Sequence, residues 1–181
     1  LEDADLEEAA ALAAAGSYKN SGQRCTAVKR MLVHEKVADA FVERLVARTK
    51  AWSYGDPMDD SLEMGTVIDE AAAKNFEARV NDAVSRGAKL LVGNVRRGAV
   101  YSPTVIDHVD PEMDVVRTET FGPVSPVIRF RDIDHAIAIA NGTAYGLSSA
   151  VCTNRLDYVT RFVRELKRRG LKAKYHKGLR V

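Results

Sequence analysis

Cysteine is nearly absent from this chain: two residues of 181, Cys25 and Cys152. Two thiols so far apart cannot build the dense disulfide framework of a small secreted domain, and no CxxC or paired-histidine spacing suggests zinc. Long apolar runs are missing as well. No stretch approaches the roughly 20 residues a membrane helix needs, and the N-terminal LEDADLEEAA is acidic where a signal peptide is basic. The chain therefore reads as soluble and cytoplasmic, with no membrane contact. GxSxG, P-loop and GxGxxG patterns are absent. His34, His108, His135 and His176 stand alone, none at ligand spacing with another, and read as structural or solvated rather than as a metal site. There is no internal repeat and no low-complexity linker.

What is present is a globular composition, 46% hydrophobic, long enough for one domain with a sizeable core. The net charge of +2 hides an uneven distribution: residues 164–181 carry eight Lys or Arg against one Glu, +7, which leaves −5 for residues 1–163. Such a tail could bind nucleic acid, but Tyr175 is its sole aromatic, so it lacks an interleaved stacking platform and reads as solvated.

Asp5 with Glu8 forms a capping box before an alanine-rich run, predicting a helix over residues 6–15 that stops at Gly16. VKRMLVH (28–34) reads as a strand, and residues 37–52 place Val37, Phe41, Leu45 and Val46 on one helical face. A second helix follows over 69–84, ended by Gly87, and then KLLVG (89–93) as a short buried strand. GAVYSPTVIDHV is extended, and Pro111 opens a short turn or helix. SPVIRF (125–130) is a strand, Asp132 or Asp134 caps a helix through Asn141, GLSSAVCT is a strand, and 155–168 is an amphipathic helix with Leu156, Val159, Phe162, Val163 and Leu166 inward. Strands separated by helices of this length need crossover connections, so the fold class is α/β, a three-layer α/β/α arrangement with a mostly parallel sheet.

Within this frame NSGQRCTA (20–27) is the stretch where chemistry is expected. A free cysteine is commonly a small buried hydrophobe, and Cys152, inside an apolar strand pattern, keeps that reading. Around Cys25, however, Ser21, Gly22, Gln23 and Arg24 make a polar loop able to expose the sulfur, to aim backbone N–H groups at an oxyanion and to set a cation beside it. The second candidate is TETFGPVSPV (118–127). Gly122-Pro123 forces a sharp turn that would present Glu119 and Phe121 at a strand edge; a surface Glu and a core Phe is the competing reading.

Taken in order and at their separations, LEDADLEEAA, NSGQRCTA, YSPTVIDHVDPEMDVVRTETFGPVSPV and AIANGTAYGLSSAVCT resemble the catalytic domain of the NAD(P)-dependent aldehyde dehydrogenase superfamily. The resemblance covers residues 1–168, leaving 169–181 as a basic atypical tail, and it implies a domain incomplete at both ends. It further implies that Cys25 is the nucleophile, that Glu119 holds a ribose of NAD or NADP, and that Phe121 lies near the nicotinamide. The general base, oxyanion asparagine and cofactor domain of such enzymes precede the segment matched here. Family members are homo-oligomers; the altered C-terminus puts that contact in doubt for this chain. Within the family, GQRCTAVKRMLV is similar to phosphonoacetaldehyde dehydrogenases and next to non-phosphorylating glyceraldehyde-3-phosphate dehydrogenases. That points to a small anionic aldehyde, with Arg24 binding the anion. Two other readings are weighed: a coenzyme-A-acylating member of the same superfamily, and a non-enzymatic module with a nucleic-acid-binding tail.

Overall fold

The structure is a computed structural model that describes residues 1–166 and the backbone of a two-residue strand at Lys172–Ala173. The rest of the basic tail lies outside the described residues. Helix α1 (Leu6–Tyr18) is opened by Asp5, whose carboxylate accepts from the amides of Glu7 and Glu8. Contrary to expectation the helix does not stop at Gly16. That glycine serves packing: a Cβ there would stand 2.6 Å from Cγ2 of Val28, and the approach outweighs the roughly 1 kcal/mol that glycine costs inside a helix.

A one-turn 3-10 segment (Lys19–Gly22) follows, then strand β1 (Met31–His34) and helix α2 (Glu35–Lys50). The strand is shorter than the predicted 28–34 because residues 28–30 are tied elsewhere. Val28 N–H donates to Gly16 O and Val28 O accepts from Ser17 Oγ, while the Arg30 guanidinium reaches the carbonyls of Ile139 and Ala140. His34 Nδ1 accepts from the Lys36 amide at 3.2 Å and so caps α2. Helix α3 (Glu70–Ser85) starts at Asp69, whose side chain accepts from Ala72 N–H at 2.7 Å.

Strand β2 (Lys89–Val92), the hairpin of β3 (Arg96–Arg97) with β4 (Val100–Tyr101), and strand β5 (Thr104–Asp107) come next, then α4 (Asp114–Arg117), β6 (Val124–Phe130) and α5 (Ile133–Asn141). The chain continues through β7 (Ser148–Ser149), α6 (Leu156–Glu165) and β8 (Lys172–Ala173). The main sheet has the order β1-β6-β5-β2; β6 is parallel to both neighbours and β2 runs antiparallel on the edge.

Strand alternation builds the three layers. Met31, Val33, Val105 and Val127 face α1 and α2, packing with Ala10, Ala14, Phe41 and Leu45. Their neighbours Ile106, Ile128 and Phe130 face the other way, against Phe76 and Val80 of α3 and Ala136 and Ile139 of α5. Strand β6, seven residues long and buried at all but Arg129, is the centre that both layers cover.

Three expectations are corrected. The predicted buried strand at 89–93 is the sheet edge, with Leu90 40% exposed; an edge strand has only one neighbour to cover it. The strand predicted over 146–153 contracts to two residues. In α6, Leu156 is 77% exposed rather than inward, because the first turn overhangs while Phe162, a turn and a half later, reaches the core.

Candidate functional site

Tyr18 ends α1 and anchors the loop that carries the thiol. Its ring is fully buried, and a chain of hydroxyls runs through it: Ser125 Oγ donates to Tyr18 Oη at 2.9 Å, Tyr18 lies 3.0 Å from Thr49 Oγ1, and Thr49 donates to Leu45 O at 2.7 Å. Burial pushes the phenol pKa up to about 12. The loop is thereby fixed to β6 and α2 just before it turns outward.

The turn itself is made by three successive left-handed residues, Asn20 (φ 56°), Ser21 (φ 53°) and Gly22 (φ 69°). Such backbone is disfavoured for L side chains, so it has to be held. Asn20 Nδ2 donates to Gln23 O at 3.2 Å and Ser21 Oγ to Gly65 O at 3.2 Å, while Gln23 Oε1 accepts from Ile68 N–H at 2.8 Å. Gln23 and Ser21 together pin the loop to residues 65–68.

Gly22 brings the two candidate motifs into contact. A Cβ at Gly22 would lie 2.3 Å from Gly122 O, and one at Gly122 would lie 2.4 Å from the Phe76 ring. Backbone therefore packs on backbone between NSGQRC and TFGP, with α3 behind. From α3, Arg79 Nη1 donates to Glu119 O at 2.6 Å and Thr120 Oγ1 at 3.2 Å, and its Nε pairs with Asp114 at 3.1 Å. The carbonyl end of Glu119 is fixed and its carboxylate is left exposed. Phe121, two residues on, is 41% exposed, so the competing reading of Phe121 as a core residue does not hold.

Cys25 is exposed, and no hydrogen bond engages its amide among the described residues. Arg24 does not project freely: Nη2 donates to Gly16 O at 3.0 Å, and Nε is buried without an acceptor among the described residues. Lys29, which sequence reasoning passed over, reaches between the motifs. Its ammonium donates to Gly22 O and stands 5.3 Å from the Phe121 ring centroid. Burial lowers its pKa to about 8; Glu119 opposes that shift and Arg24 adds to it. No local pattern marks Lys29 or Arg79, because each acts on a segment distant in sequence.

Cys152 is half-buried, its thiol pKa raised by burial, and no disulfide joins it to Cys25. His34 caps a helix, and the His135 ring takes the Arg131 amide at 3.4 Å. Among the described residues no group of three or more His, Cys, Asp or Glu could hold a metal, and no helix is long and apolar enough to cross a membrane.

The aldehyde dehydrogenase family profile matches residues 1–172. Vanillin dehydrogenase of Pseudomonas fluorescens is 41% identical over 151 residues, 83% of this chain and 31% of its own length. The 3-sulfolactaldehyde dehydrogenase of Priestia megaterium is 38% identical over 169 residues, 93% of this chain and 35% of its own. A solved glyceraldehyde-3-phosphate dehydrogenase from Methanocaldococcus jannaschii, complexed with NADP, superimposes with a TM-score of 0.90 at 36% identity, over 99% of this chain and 39% of that one. The chain thus spans about a third of the length of the relatives it matches. With the thiol loop packed on the Glu119–Phe121 turn in a three-layer fold shared with solved members, the chain belongs to the aldehyde dehydrogenase family.

Proposed function

We propose that this chain contributes the nucleophile and part of the cofactor face to an NAD- or NADP-dependent oxidation of an aldehyde to a carboxylic acid. The observation that carries the reading is the Gly22–Gly122 contact, which sets the exposed Cys25 loop against the exposed Glu119 carboxylate and Phe121 ring. Those side chains suit the cofactor: a carboxylate accepts from ribose hydroxyls, and an aromatic face lies against a planar ring. When bound there, NAD or NADP supplies the hydride acceptor.

The Cys25 sulfur adds to the aldehyde carbonyl carbon and forms the carbon–sulfur bond of a thiohemiacetal. The Cys25 amide, uncommitted among the described residues, donates to the oxygen that becomes negative. After oxidation the carbon stays on the Cys25 sulfur as a thioester; water releases the acid and the sulfur regains its starting state. Glu119 and Phe121 hold and orient, and exchange no proton in this scheme.

For the substrate we favour a small anionic aldehyde, phosphonoacetaldehyde first. Two of the compared proteins carry names of aldehydes with a sulfonate or a phosphate, which supports the class but not the compound. Arg24 is the anion's partner in this reading, and it must exchange its bond to Gly16 O for one to the ligand. The first test is the rate of Cys25 alkylation by iodoacetamide in the Cys152→Ser chain: a rate well above a small model thiol supports a nucleophile, and an equal rate refutes it. In a full-length form, Arg24→Leu should raise KM for phosphonoacetaldehyde roughly 100-fold or more, the loss of a charge-assisted pair, against little change for a neutral aldehyde of similar size. Equal effects would remove Arg24 from the substrate site.

A further inference from the structure

Lys29 has no part in the steps above, yet it occupies the junction between the motifs. An ammonium is a strongly hydrated point charge, and withdrawing it from water is unfavourable unless charged-form contacts offset the loss. Lys29 has three that offset part of it: the Gly22 carbonyl, the face of Phe121 at 5.3 Å and the charge of Glu119. The first belongs to the thiol loop and the other two to the opposite turn.

The carbonyl it binds closes the left-handed run Asn20–Gly22, the part of the loop whose backbone is least favourable by itself. Gln23 and Ser21 hold that run toward residues 65–68; Lys29 holds it toward Phe121. Arg30 is no substitute, being turned to the Ile139 and Ala140 carbonyls. Resting on the function proposed above, we propose that Lys29 is a positioning residue that clamps the Cys25 loop to the Glu119–Phe121 turn, fixing the spacing between the thiol and the cofactor face.

The charged groups set against Lys29 are Glu119 from the turn and Arg24 from the loop, and Arg79 on α3 is occupied by Asp114 and the Glu119 carbonyl. At neutral pH Lys29 is protonated and its ammonium touches both segments; above about 8 the neutral amine gives up the contact with the ring but still donates to Gly22 O and escapes the desolvation that lowers its pKa. Arginine retains the charge and can reach both partners, so it preserves the clamp; methionine fills similar space without it.

Amide hydrogen exchange of the 181-residue chain, read by mass spectrometry and corrected for intrinsic rates, tests this directly. In Lys29→Met, residues 20–27 and 118–122 should exchange about fivefold faster or more, with α2 and β6 unchanged, and Lys29→Arg should match the wild type. Because loosening returns Lys29 to water, where it binds its proton more tightly, wild-type protection of the same two segments should rise together as pH is raised from about 8 toward 10.5. Exchange within about twofold of wild type in Lys29→Met, loosening of one segment alone, or uniform acceleration through the core would overturn the clamp. Should Lys29→Met not fold, the wild-type pH series and Lys29→Arg decide. Alkylation of Cys25 run alongside separates the two ideas: a sluggish wild-type thiol sinks the nucleophile reading while exchange still judges the clamp.

Discussion

At Gly22 a single methyl group has nowhere to go. The backbone is left-handed, and the added carbon would meet the Gly122 carbonyl at 2.3 Å. Gly87 is the useful contrast, since it too is left-handed at φ 104° but faces open space within 4 Å. Gly87→Ala should therefore cost only the conformational part, about 1 kcal/mol, whereas Gly22→Ala should cost at least about twice that and displace the loop. Urea unfolding of the two variants checks the difference, and equal losses would mean the glycine contact is not tight. The hydroxyl chain behind the loop gives a second residue-level expectation. Tyr18→Phe removes the acceptor of Ser125 and the partner of Thr49 in a dry interior, and should destabilise by about 1–3 kcal/mol in the same assay. Cys25, Glu119 and Phe121 could be singled out from the chain because turn residues and a polar approach mark them locally. Lys29, Arg79 and Tyr18 could not, since what each one holds is set only when distant segments meet.

Helix α3 governs the turn at the level of elements. It supplies Phe76, against which Gly122 packs, and Arg79, which fixes the Glu119 carbonyl. Asp69→Ala deletes its N-cap and should lower stability by about 1 kcal/mol, seen as a lower urea midpoint with an unchanged slope. Asp5 and Asp69 were legible as helix starts, and Asp132 as one of two candidates with Asp134, because a short carboxylate before an apolar-periodic run has one recurrent use, accepting the first amides. Helix ends and exposures were harder. Gly16 looks like a terminator until Val28 is seen against it, and KLLVG looks buried until β2 is seen to have β5 as its one strand neighbour among the described residues. Both errors have one physical origin: local composition reports what a residue can do, and tertiary neighbours decide which of those uses is taken.

For the whole molecule, groups of opposite sign shape the alkaline limb of stability: Lys29 on one side, and on the other Tyr18 with Tyr101, whose phenol pKa burial also pushes up. Lys29 titrates at about 8 in the fold against 10.5 in the open chain, so between these values the unfolded chain binds more protons and stability rises with pH. Tyr18 titrates at about 12 in the fold against 10.0 unfolded; its contribution is intact below 10 and is lost as pH climbs toward 12. Chemical denaturation across pH 7–12 should thus show a shallow rise followed by a fall, with Lys29→Met diminishing the rise and Tyr18→Phe lessening the fall, of which Tyr101 keeps its share. A monotonic curve unaffected by either substitution would contradict both assignments. The layered α/β/α plan was the most legible feature of all, because period-two strands alternating with period-3.6 helices leave few ways to bury both faces of a sheet.

The glycine pair has a consequence for recombination between relatives. Within residues 16–29 and 118–123 the chain meets backbone to backbone at Gly22 and Gly122, with no side chain between those two residues to absorb a mismatch. Chimeras that inherit both pieces from one parent should keep their working geometry, while those that split them import whatever small offset the two parents have accumulated, and there is no rotamer to take it up. The two stretches, though far apart along the chain, behave as a single heritable unit.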